Sequence, residues 1–132
     1  MNSTKVTHRI LVVDDEPELR DSLKAMLESC GHAVAAAGST PEALVAIEAD
    51  RPDVVLTDIF LGDDDGYALL NALRAHEEKI PVIAMSGGGS APDGADALTL
   101  AESLGAAAVI SKPFRLKDLL EVIDRAVAEA AR

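Results

Sequence analysis

Three aspartates, a serine and a lysine each stand where an apolar run stops. Ile10-Leu11-Val12-Val13 leads into Asp14-Asp15, Asp53-Val54-Val55-Leu56-Thr57 into Asp58, Ile80-Pro81-Val82-Ile83-Ala84-Met85 into Ser86, and Ala106-Ala107-Ala108-Val109-Ile110 into Ser111-Lys112-Pro113. Short apolar runs bounded by polar groups read as buried strands. In an open parallel α/β sheet, ligands bind outside the carboxyl ends of the strands. Three acids, a hydroxyl and an ammonium would then meet on one edge. Crowded carboxylates repel one another, and a hard divalent cation relieves the repulsion. Magnesium takes one or two carboxylates, adds carbonyl oxygens and keeps several waters. That leaves an Asp58 oxygen free to attack phosphorus and form an acyl phosphate. Lys112 supplies charge for the phosphoryl oxygens, and Ser86 supplies a hydrogen bond.

These residues need a scaffold, and the chain spells one out. Strand-like and helix-like stretches alternate five times after residue 8. The strands are expected at about 9–14, 32–37, 53–58, 80–86 and 106–110. The second is weak, because alanine forms strands poorly. Helix one opens at Asp15-Glu16-Pro17 and stops at Cys30-Gly31, an early proline and a terminal glycine being the usual punctuation. Its stripe is Leu19, Leu23, Met26 and Leu27. Helix two opens at Ser39-Thr40-Pro41-Glu42 with a capping hydroxyl, carries Ala43, Leu44 and Ile47 inward, and ends at Arg51-Pro52. Gly62 to Gly66 reads as a loop. Helix three runs from Tyr67 to about Glu77, with Leu69, Leu70 and Leu73 inward. Helix four lies within 93–104, and helix five within 115–131 with Leu116, Leu119, Leu120, Ile123 and Val127 on one face. Such alternation predicts a doubly wound parallel sheet covered by helices on both sides.

Composition narrows the class further. The 132 residues favour one domain, expected at 9–132 behind a flexible arm at 1–8. The net charge of −11 argues against direct nucleic-acid binding and suits a cation. A single cysteine, Cys30, excludes an internal disulfide. The N-terminus has no signal-like stretch and no apolar run is long enough to span a bilayer. A cytoplasmic protein is expected.

Val12-Val13-Asp14-Asp15-Glu16, Leu56-Thr57-Asp58 with Asp65-Gly66, Met85-Ser86 and Lys112-Pro113-Phe114 together resemble the response-regulator receiver domains of two-component signalling. The resemblance covers the chain from about residue 9 onward. It implies a flavodoxin-like (βα)5 fold with strand order 2-1-3-4-5. It implies that Asp58 accepts a phosphoryl group from a histidine kinase or a histidine phosphotransfer protein. Asp14, Asp15, Asp58 and the Phe60 backbone carbonyl would hold Mg2+, with Mn2+ able to substitute. Ser86 and Lys112 would bind the phosphoryl oxygens, and the Lys112-Pro113 bond would be cis. The expected protein is a stand-alone phosphoacceptor rather than an enzyme. Its output would be contact with a downstream protein, a phosphorylation-dependent dimer being one possible form. Donor specificity would rest on Pro17, Glu18, Asp21 and Arg115.

Several features depart from the family pattern. Val109 replaces the frequent aromatic residue three positions before the lysine, so the Ser86 loop would carry more of any switch. Gly87 to Gly94 is longer than usual and rich in glycine, which is costly to order, and is expected to be mobile. Gly62 replaces a usual proline. Phe60 and Gly88 offer no polar side chain to orient water, which predicts slow self-dephosphorylation. The plainer alternatives are a strand-end cap for Asp58, a helix cap and dipole partner for Asp14-Asp15, and a solvated Lys112. A receiver-shaped binding module independent of phosphorylation is one rival. A haloacid-dehalogenase-like phosphatase is another, but it needs a second aspartate where Phe60 stands. A flavodoxin-type flavin protein is disfavoured by 2% aromatic content. His8, His32 and His76 read as surface or filler.

Overall fold

Alternation along each strand sorts the apolar residues to two faces, and the sheet follows from it. The computed structural model describes residues 7–58, 60–61, 64–65, 69, 72–73, 80–86, 105–111 and 113–130. Five parallel strands form the sheet: β1 (Arg9–Val13), β2 (Ala33–Ala37), β3 (Val54–Asp58), β4 (Val82–Ser86) and β5 (Ala108–Ser111). Their spatial order is 2-1-3-4-5, the doubly wound flavodoxin-like arrangement.

Ile10, Val12, Val54, Leu56, Ile83, Met85 and Ile110 pack on one face. There they meet Leu23 and Leu27 of α1 (Pro17–Ser29) and Leu119, Ile123 and Ala126 of the C-terminal helix (Leu116–Ala130). Leu11, Val13, Val55 and Val82 pack on the other face with Ala43 and Ile47 of α2 (Thr40–Ala49). Leu69 and Leu73, both helical, join that second core. Every residue of β3 is buried, as a central strand covered on both sides requires.

The strand ends shift by a residue or two from expectation. Asp53 is not in β3; its carboxylate accepts the Arg9 N–H at 2.8 Å. Pro81 precedes β4 and gives its carbonyl to Val55 N–H at 3.0 Å. The chain after Asp58 contains a two-residue antiparallel ribbon, Phe60–Leu61 against Asp64–Asp65, whose second strand lies within the 62–66 stretch expected as a loop. Met26 does not belong to the buried stripe of α1, being 37% exposed. It sits at the edge of a stripe that Leu23 and Leu27 complete four residues apart.

Helix ends follow local chemistry. Ser39 caps α2, its hydroxyl accepting Glu42 N–H at 3.3 Å. Helix α1 has Pro17 at its start and closes at Gly31, whose φ of 94° only glycine adopts readily. His32 N–H reaches back to the Leu27 carbonyl at 3.2 Å.

His8, expected in a mobile arm, is buried in the folded body. Its ring stacks on His32 with centroids 5.5 Å apart, and its Nε2 lies 3.2 Å from an Asp124 carboxylate oxygen of the C-terminal helix. Residues 1–6 of that arm fall outside the described residues. Among the described residues, no helix is long and apolar enough to cross a membrane.

Candidate functional site

Two carboxylates finish the central strands at one level. Val13 stands beside Thr57 in the β1–β3 register, so the residues that follow, Asp14 and Asp58, are neighbours across the strand ends. Adjacent strands lie about 4.8 Å apart. Asp58 is level with Met85, and Met85 with Ile110. Strand periodicity is two, and Asp14 and Asp58 share the parity of Ile10, Val12, Val54 and Leu56. Both belong to the side of the sheet that α1 and the C-terminal helix cover.

Asp14 is 0% exposed and Asp58 8% exposed. Burying a carboxylate is costly unless hydrogen bonds or charges compensate. Asp14 Oδ1 accepts Glu16 N–H at 2.9 Å, a local turn typical of aspartate before a helix. That bond orients the carboxylate at the entrance to α1. The Asp14 N–H, in turn, donates to the Ala37 carbonyl at 3.1 Å and ties this turn to the end of β2. Thr57 turns its hydroxyl onto the Asp58 carbonyl at 3.1 Å.

Asp15 follows on the exposed side of the turn. Among the described residues, no three His, Cys, Asp or Glu side chains gather closely enough to hold a metal ion by themselves. The expected site needs no such cluster, since one or two of Asp14, Asp15 and Asp58 would contact the ion directly and a carbonyl and water would complete its shell. The donors on offer are all oxygen, and two of them are buried carboxylates on adjacent strands. Magnesium or manganese is satisfied by one or two acids with carbonyls and water, so this donor set fits such an ion.

The remaining expected residues are placed only in part. Ser86 ends β4 level with Ser111 of β5, one residue beyond the level of Asp58. Phe60 is paired with Asp65 in the short ribbon just past Asp58. Val109, level with Ala84, is half-buried. Lys112 lies outside the described residues, and the cis bond expected at Lys112-Pro113 with it. So do the 87–94 loop, the expected helix four, Gly62, Gly66, Leu70, Tyr67 and His76.

One group at this edge escaped the sequence reading. Arg20 Nη1 donates to the Asp14 carbonyl at 3.1 Å. A cation in the opening turns of a helix opposes the macrodipole, and that mismatch was the available signal.

Comparison with known proteins points one way. The family model for the response regulator receiver domain matches residues 10–124. The chain is 32% identical over 124 residues to the nitrogen assimilation regulatory protein NtrX of Azorhizobium caulinodans, covering 92% of this chain and 26% of that protein. It is 30% identical over 112 residues to the transcriptional regulatory protein PhoP of Escherichia coli, covering 85% of this chain and 48% of that protein. The chain thus spans about a quarter to a half of the curated relatives it matches. Among solved structures, the receiver domain of NtrX from Brucella abortus is similar with a TM-score of 0.81 and 36% identity, over 90% of this chain and 98% of that one. A response regulator receiver domain protein from Clostridium thermocellum gives a TM-score of 0.83 at 29% identity, over 96% and 98%.

Proposed function

The chain belongs to the response regulator receiver domain family, and from that membership we propose that Asp58 is its phosphoacceptor. The observation that supports this most is the burial of Asp14 and Asp58 side by side at the carboxyl ends of β1 and β3. Burying two acids there is costly unless hydrogen bonds or charges compensate, and ionisable groups gathered at such a strand edge are candidates for charge chemistry.

In this reading a carboxylate oxygen of Asp58 bonds to the phosphorus of a phosphohistidine. The phosphorus–nitrogen bond breaks and the nitrogen keeps the electron pair. The imidazole leaves neutral because its other nitrogen carries a proton. Asp58 is left as an acyl phosphate. Asp14, Asp15, an Asp58 oxygen and the Phe60 carbonyl would hold a magnesium or manganese ion, with one or two of the acids contacting it directly. When bound, that ion supplies positive charge against the phosphoryl oxygens. Lys112 and the Ser86 hydroxyl engage the same oxygens. The Asp14–Glu16 hydrogen bond keeps the first acid oriented before any ion arrives.

The phosphoryl donor is a histidine kinase or a histidine phosphotransfer protein. Pro17, Glu18, Asp21 and Arg115 are all exposed and are the side chains proposed to select it. The output is a protein contact with a downstream partner on the surface of the expected helix four, β5 and the C-terminal helix.

The test is intact-mass measurement after incubation with acetyl phosphate and magnesium. The expected result is gain of one phosphoryl group by the parent and none by Asp58→Asn. A parent that stays unmodified with both small-molecule and phosphohistidine donors sinks the proposal, as does equal labelling of Asp58→Asn.

A further inference from the structure

We propose that Arg20 is a positioning residue for the acidic site and that Gly38 is glycine in order to admit it. Helix side chains lean toward the helix N-terminus, and Arg20 uses this to reach back to the Asp14 carbonyl at 3.1 Å. The same peptide carries the carboxylate that accepts Glu16 N–H. Arg20 therefore pins the backbone of the turn from which Asp14 and Asp15 project.

Gly38 supplies the room. Its φ lies outside the left-handed region, which Gly31 and Gly105 occupy, so its backbone conformation does not demand glycine. A Cβ at Gly38, however, would lie 2.6 Å from Arg20 Nη1. The guanidinium occupies the space where any side chain would begin. Glu42 holds the glycine in place, its Oε1 accepting Gly38 N–H at 3.0 Å. The pin thus joins α1, the end of β1 and the start of α2.

An arginine near a helix N-terminus is unfavourable toward the macrodipole. On charge alone it would also weaken binding of a cation by Asp14 and Asp58. A positioning role predicts the opposite sign: loss of Arg20 weakens cation binding because the turn loses its anchor. This inference rests on the acidic site proposed above.

The experiment compares the parent with Arg20→Met, Gly38→Ala and the double variant. Magnesium affinity is read by calorimetry. Exchange of the Glu16 amide is read by NMR in metal-free buffer. Methionine retains the aliphatic stem that packs on the helix. The alanine displaces only the mobile end of an arginine, so both variants are expected to fold. Each single variant is expected to bind magnesium about tenfold more weakly, roughly the worth of one hydrogen bond from a charged donor. Each is expected to exchange Glu16 faster. The double variant is expected to behave like either single one, since both remove the same contact. Tighter magnesium binding by Arg20→Met, parent-like behaviour in both single variants, or a loss in the double equal to the product of the two would overturn the proposal. If the parent binds no magnesium, the acidic-site reading fails. The Glu16 amide then decides the pin by itself, and unchanged exchange in both variants overturns it.

Discussion

Asp58 and Asp14 face a conflict between stability and chemistry. Two buried carboxylates on adjacent strand ends repel, and folding has to offset that repulsion while no cation is bound. Asp58→Asn keeps the shape and removes one charge. We predict that, in metal-free buffer, it unfolds at higher temperature than the parent, by about 1 kcal/mol in stability. Magnesium is predicted to stabilise the parent in a concentration-dependent way, as any ligand of the native state does, and to have little effect on Asp58→Asn. Thermal melts across a magnesium series check both statements. A variant less stable than the parent without metal would show that no repulsion is relieved.

The helices show how two glycines do different work. Gly31 ends α1 at φ 94° and has open space where a Cβ would go. Gly31→Ala meets no atom, so its cost is backbone strain alone, about 1 kcal/mol. Gly38 is the reverse case, with ordinary backbone and the end of Arg20 standing where a Cβ would go. Denaturant melts are expected to show a stability loss for Gly31→Ala with magnesium binding unaltered, the inverse of the pattern expected for Gly38→Ala. At the other end of a helix, Ser39→Ala removes the hydroxyl that accepts Glu42 N–H and is predicted to cost about 1 kcal/mol. A cost near zero by the same melts would mean that Glu42 and the Gly38 N–H suffice to start α2. The second strand illustrates how context outweighs propensity. Ala33 to Ala37 is a poor strand sequence, yet it pairs with β1 along its whole length, because the covered sheet supplies the partner.

At the scale of the molecule, β3 is the centre on which both cores close. Leu56 is fully buried beneath α1 and the C-terminal helix. Leu56→Ala is predicted to cost 2–5 kcal/mol, the range for a buried leucine that leaves a cavity, measurable by urea unfolding. The chain is also closed between distant segments. His8, just before β1, stacks on His32 and reaches Asp124 on the C-terminal helix. Arg9 pairs with Asp50 at the end of α2. These links join parts of the chain that local patterns treat as unrelated, which is why His8 read as arm or filler.

The sequence by itself determined the layered parallel sheet, the order of its elements and the alignment of Asp14, Asp58 and Ser86 at strand ends. Those features depend on period-two and helical spacing of apolar residues, which are local and additive along the chain. The strand order came from a family resemblance carried by residues at those ends, and the sheet has that order. Only the tertiary structure decided that Asp14 and Asp58 are both buried while Asp15 stands exposed. It also decided that Arg20 and Gly38 share one space and that His8 is enclosed. Each of these depends on how segments far apart in sequence meet, and no periodicity encodes such a meeting. It arises when the sheet closes and side chains compete for the same volume.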